Sequence, residues 1–256
     1  MASGSMPPPT SKTAALSFEE QQRKQELLNK YKHEPLAITM DSIFPSQGPT
    51  SGETRVLVRG GPFQDMHLIY PHPKCKFGKR DMIVNAVYVS CTARPLSVEE
   101  VEGKKANRDQ ICIQCENSPK HDKAEIVQLL VSLTGDFSDA ADGEAFRYYL
   151  EPEVHAIYPR YGVKDGGTTV EVWGKNFMNF GAHTRCGFGT KTVQANYYNS
   201  TYLTCSARPS DVVEKPIPFT VSMNQQQNTR QAINYWYYNN PIVSELQPNY
   251  GVFQGG

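Results

Sequence analysis

The chain has 256 residues, and its 26 Lys+Arg balance 26 Asp+Glu, so the formal charge is zero. That neutrality argues against a dedicated nucleic-acid binder, which needs a basic excess on at least one face. A 39% hydrophobic share with 18 Pro and 19 Gly points to a folded, turn-rich chain of about two domains and excludes a disordered one.

Residues 1–10 hold Ser, Gly and three prolines, without the basic-then-apolar pattern of a secretory signal. Residues 1–5 ahead of Met6 are compatible with an added leader. No window reaches the roughly 18 apolar residues that cross a bilayer. Taken at face value, this places the chain in the cytoplasm. Ser17-Phe-Glu-Glu20 is a capping box, the run to His33 is rich in helix formers, and Pro35 ends it, which predicts a helix of about four turns within a lead of residues 1–35. Phe18, Leu27, Leu28 and Tyr31 are its sparse apolar positions. They serve either as a short stripe on the first domain or as a docking face for a protein partner.

From residue 36 the chain repeats itself. Pro45-Ser-Gln-Gly48, Gly52, Val56, Val58, Gly60 and Phe63 recur without a gap as Pro159-Arg-Tyr-Gly162, Gly166, Val170, Val172, Gly174 and Phe177. Each copy reads as a glycine turn, a short alternating strand and a glycine that permits positive φ. Cys75-Lys-Phe77-Gly78 matches Cys186-Gly-Phe188-Gly189, and Val89-Ser-Cys91-Thr-Ala-Arg94-Pro95 matches Leu203-Thr-Cys205-Ser-Ala-Arg208-Pro209. Val131 then matches Val221, and Phe146-Arg-Tyr148-Tyr149 matches Tyr235-Trp-Tyr237-Tyr238. Each unit holds about seven short strands, the signature of an antiparallel β-sandwich. The first unit covers 36–151 with an insertion at 96–130, and the second covers 152–240.

At 241–256 a third copy begins, since Pro241, Leu246, Pro248, Tyr250 and Gly251 repeat Pro152, Ile157, Pro159, Tyr161 and Gly162. A lone first strand buries no face, so the chain is expected to be a fragment of a longer repeat protein.

The string Pro-x-Tyr-Gly, Gly-Gly-Thr-x-Val-x-Val-x-Gly-x-Asn-Phe, Cys-x-Phe-Gly and Thr-Cys-Ser-Ala-Arg-Pro, closed by paired tyrosines, resembles the IPT/TIG domain, an immunoglobulin-like module of plexins and several transcription factors. Residues 152–240 match it end to end; 36–151 depart where Gly52-Glu53 replaces the glycine pair and at Gly61-Pro62. The resemblance implies an all-β fold of tandem immunoglobulin-like sandwiches behind a short helix. In secreted members the cysteine pair of each module, here Cys75/Cys91 and Cys186/Cys205, commonly forms a bridge. In a reducing compartment the same residues are buried thiols, which is the reading that follows from the missing signal.

Other candidates are weaker. His72/Cys75 and Cys112/Cys115 have the two-residue spacer of zinc ligands, yet 111–116 alternates like a strand, which points residues three apart to opposite faces. Lys74, Lys76, Lys79 and Arg80 form a basic cluster, diluted by Asp65 and Asp81. Asn199-Ser-Thr201 is a glycosylation sequon without meaning in the cytoplasm. No hydrolase, metalloprotease or P-loop motif is present. The sequence therefore predicts a non-enzymatic scaffold that binds protein partners, with no cofactor and no small-molecule substrate. Architecture suggests a cytoskeletal or ciliary assembly. An extracellular adhesion or receptor ectodomain and a dimerising transcription factor are the alternatives.

Overall fold

A computed structural model describes residues 16–31, 37–79, 81–91, 111–138, 140, 143–251 and 253. They fall into two compact units. Unit 1 comprises 1–43, 57–116 and 129–144; unit 2 comprises 44–56, 117–128 and 145–256.

Unit 1 opens with the one α-helix of the described residues, α1 (Phe18–Tyr31). The capping box forms: Ser17 N donates to Glu20 Oε2 at 2.7 Å, and Glu20 N to Ser17 Oγ at 3.2 Å. No residue of α1 is buried, because Lys, Gln and Glu occupy most of its faces. Strands β1 (Thr39–Phe44) and β3 (Val56–Gly61) follow, then β4 (Lys74–Phe77), β5 (Ile83–Ser90), β6 (Ile111–Cys115) and β7 (Ile126–Ser132). The alternating burial of β4 sends Cys75 and Phe77 inward. The strand β5 serves two ladders. Its first residues pair with β4, as Val84 with Cys75, and its later ones pair with β6, as Ala86 with Cys115 and Val89 with Cys112.

In unit 2, β2 (Gln47–Pro49) runs parallel to β8 (Glu144–Tyr149). The rest of the unit is a sandwich. One sheet has the order β14 (Asn196–Asn199), β15 (Tyr202–Ser206), β11 (Thr169–Lys175), β9 (Glu153–Tyr158). The other has β10 (Tyr161–Val163), β17 (Ile233–Tyr238), β16 (Pro216–Ser222), β12 (Arg185–Phe188), β13 (Lys191–Gln194). Inward residues of both sheets, among them Val170, Val172, Leu203, Phe188, Phe219, Val221 and Tyr235, make one core.

The ladders test the repeat alignment. Cys75 faces Val131 as Cys186 faces Val221, in agreement with the sequence match. The match of Val89–Pro95 with Leu203–Pro209 does not hold. The partner of β15 is β6: β6 pairs with β5 as β15 pairs with β14. Ser118 N donates to Thr54 O at 2.7 Å and Ala207 N to Thr168 O at 2.8 Å, the same bond in both copies. Cys115 thus takes the place of Cys205, and Ser118 and Pro119 those of Ala207 and Arg208. Cys115 to Val131 covers the same sixteen positions as Cys205 to Val221. The additional residues lie between β5 and β6 rather than at 96–130, and those at 92–110 fall outside the described residues. A local string around Cys91 mimicked the true counterpart.

Gly174 also corrects its expected role. It needs no positive φ; a Cβ there would stand 1.9 Å from Glu153 O, so close approach of β9 excludes a side chain. Residues 241–251 form no strand, and Ile242, Val243 and Leu246 stand exposed.

Candidate functional site

All six cysteines are oxidised, as Cys75–Cys115, Cys91–Cys112 and Cys186–Cys205. The reduced thiols expected from the missing signal are not found. The Cys186/Cys205 pair is as the resemblance implied; Cys75 and Cys91 are not bonded to each other. Alternation explains the exchange: Cys112 and Cys115 point to opposite faces of β6, so each meets a different partner. The two-residue spacer that suggested zinc is part of this disulfide arrangement, and among the described residues no group of three or more His, Cys, Asp and Glu gathers to hold a metal. The bridges close loops of 40, 21 and 19 residues. Chain entropy values each at roughly 3–4 kcal/mol, less for Cys91–Cys112, whose loop is nested within the first.

Within unit 2 the β16–β17 connection grips the 47–55 segment. Asn224 is fully buried; its Oδ1 accepts from Gln226 N and Gln227 N, and its Nδ2 donates to Gln227 Oε1 at 2.6 Å and Thr54 Oγ1 at 3.3 Å. The Gln226 side chain meets both backbone polar groups of one residue, accepting from Arg55 N at 3.0 Å and donating to Arg55 O at 2.8 Å. Gln227 Nε2 donates to Glu53 O at 2.8 Å. Side-chain amides here do what a neighbouring strand would do, pairing the backbone groups of Glu53 and Arg55 without a ladder. The run Asn224-Gln-Gln-Gln-Asn228 was the available signal, and periodicity reasoning passes over it.

Each repeat is also latched to the proline link that follows it. Glu151 Oε1 accepts from Ser51 N at 2.7 Å and Oε2 from Thr50 Oγ1 at 3.0 Å. Partial burial pushes the Glu151 carboxyl upward, but the Ser51 and Thr50 hydrogen bonds outweigh it and leave the group below the ordinary glutamate value. At the equivalent place in the second repeat, Asn240 Nδ2 donates to Asp165 Oδ2.

The predicted contact residues are scattered. Phe18 and Leu28 are exposed, whereas Leu27 and Tyr31 are half-buried. Arg23 of α1 reaches Asp65 at 3.3 Å, an exposed pair worth well under about 1 kcal/mol. Lys74 donates to Asn85, Lys76 lies 4.8 Å over the Phe137 ring, and Lys79 is exposed. Arg80 falls outside the described residues.

Comparison with known proteins fits the geometry. Human and mouse plexin-A4 are each 24% identical over 230 residues, which cover 84% of this chain and 10% of the relative. The chain thus spans about a tenth of the curated relatives it matches. The solved extracellular region of plexin A4, domains 1 to 10, covers 94% of this chain and 18% of its own at 17% identity, with a TM-score of 0.51, a likeness of fold. The family model of the IPT/TIG domain matches residues 152–237. Residues 152–237 of this chain are an IPT/TIG domain.

Proposed function

We propose that this chain is a segment of an extracellular, non-enzymatic receptor or adhesion ectodomain, in which immunoglobulin-like modules bind protein partners and hold them at a set spacing. The observation that carries the reading is the oxidation of all six cysteines, three bridges that persist in an oxidising compartment and not in the cytosol. Similarity to plexin-A4 along most of the chain supports the same side. The cytoskeletal or ciliary scaffold rested on the missing signal and on the tandem architecture, and the bridges weigh against it. The transcription-factor alternative rested on the basic cluster, two of whose lysines are engaged with Asn85 and Phe137.

The test is to tag the full-length protein, label intact cells with a membrane-impermeant reagent, and alkylate thiols before and after reduction. Protein on the surface or in the medium, with cysteines alkylated only after reduction, is the expected result. A cytosolic protein with six free thiols overturns the reading. Cross-linking on living cells then identifies the protein partner.

A further inference from the structure

We infer that Asn199 is an N-glycosylation site whose glycan lies on an aromatic row built across the sheet β14-β15-β11; this rests on the extracellular reading above. Asn199-Ser-Thr201 is the only such sequon in the 256 residues. Its three residues are exposed, with Asn199 ending β14 and Ser200 and Thr201 forming the turn to β15. Asn199 Oδ1 accepts from Thr201 N at 2.9 Å and from Thr201 Oγ1 at 2.8 Å. Both bonds go to the oxygen, so the amide nitrogen is left without a partner among the described residues. The turn itself is held from below: Gly174 N donates to Thr201 O at 2.9 Å and Phe177 N to Ser200 O at 3.0 Å.

The register supplies the second observation. Asn199 is paired with Tyr202, and Tyr202 with Trp173, which in turn faces Ala156 on β9. Residues directly opposite across an antiparallel ladder share a face, and an extra residue at Tyr198 shifts the register so that Asn199 stands opposite Tyr202; these four thus form one row on the outer side of the sheet. Val172 and Leu203, next along β11 and β15, are fully buried and fix the row as outward. Along it Trp173 and Tyr202 rings lie 5.6 Å apart, and Tyr202 and Tyr198 5.2 Å. Trp173 is 39% and Tyr198 61% exposed, and the row ends on the small Ala156. An outward aromatic cluster of this kind loses free energy to water unless something covers it. A saccharide attached at the head of the row offers its C–H faces to the rings and keeps its hydroxyls in water.

The modification needs a lipid diphosphate-linked oligosaccharide as donor. The Asn199 amide nitrogen forms a bond to the anomeric carbon, the bond from that carbon to the phosphate oxygen breaks, the lipid diphosphate leaves, and the nitrogen gives up one proton.

The test uses the full-length protein from cells, with thiol state and glycopeptides mapped in one sample. A glycan on Asn199, removed by peptide N-glycosidase with conversion of Asn199 to Asp, is expected, and it is lost in Asn199→Gln and in Thr201→Ala. Disulfide-bonded, secreted protein with bare Asn199 overturns this inference and leaves the extracellular reading standing; cytosolic protein with free thiols overturns both. For the row, the thermal midpoint is measured with the glycan intact and removed. The wild type is expected to lose a few degrees on removal, and the double variant Trp173→Ala/Tyr202→Ala to lose none. An equal loss in both, or none in the wild type, overturns the contact with the rings.

Discussion

Tyr237 donates its hydroxyl hydrogen to the carbonyl of Arg208 at 2.6 Å. Tyr148 makes the corresponding bond to Pro119 at 3.1 Å. In both copies a buried tyrosine of the last strand ties the chain just beyond the bridged cysteine. Burial, with Tyr235 as a lesser contributor, pushes the Tyr237 hydroxyl up to about 12, so it remains a donor at every physiological pH. Tyr237→Phe is expected to keep the fold and cost about 1 kcal/mol in urea unfolding. An unchanged midpoint would show that water replaces the bond without loss.

The disulfides rank by loop. Cys75→Ser/Cys115→Ser is expected to lower stability by about 3 kcal/mol, whereas Cys91→Ser/Cys112→Ser, whose loop lies within the other, loses less. Peptide mapping without reduction checks the connectivity first: a Cys75–Cys91 peptide contradicts the pairing.

Asn224 holds the amide grip by accepting from two backbone nitrogens and donating to side chains it orders. Asn224→Ala leaves these groups without a buried partner, at a cost of about 2 kcal/mol or more. Hydrogen exchange at residues 53–55 is expected to accelerate in the variant, while the ladder of β11 and β15 stays protected. Uniform acceleration would instead indicate global destabilisation.

Glu151 gives a pH signature. Its carboxyl is depressed in the folded state, so the stability it contributes is present above the unfolded value of about 4.3 and is lost as pH falls through the folded one. Glu151→Gln is therefore expected to be less stable than wild type at pH 7, with the gap closing below about pH 4. Because the side chain is partly exposed, the gap stays below about 1 kcal/mol. A gap that widens in acid reverses the sign and refutes the latch.

Much of the fold was legible because it depends on local signals. The helix cap at Ser17 and Glu20, the turn glycines and the alternation of β11 each declare themselves within a few residues. The second sandwich, with Cys186 and Cys205 in their expected places, was read almost whole. The first was misread at one point: Cys91-Thr-Ala-Arg-Pro95 copies the string after Cys205, but which strand fills a ladder is decided by pairing across the sheet. The same limit hid the amide grip, since Gln226 acts on Arg55, far away in sequence. The pairing of the cysteines was hidden for another reason: the N-terminus suggests reduced thiols, whereas Cys75 on β4 and Cys91 just after β5 meet Cys115 and Cys112 from opposite faces of β6 only once the sheet has formed.

The two latches carry opposite polarity. After the first repeat the acid sits on the link, at Glu151, and the donors sit on the turn, at Thr50 and Ser51; after the second, the acid is Asp165 on the turn and the donor is Asn240 on the link. Exchanging the links would set Glu151 against Asp165, two carboxylates face to face, and would deprive Ser51 of its acceptor carboxylate. The modules are thus not freely interchangeable: each joint recognises the repeat that precedes it, and a tandem shuffled by recombination would carry the wrong sign at its hinges.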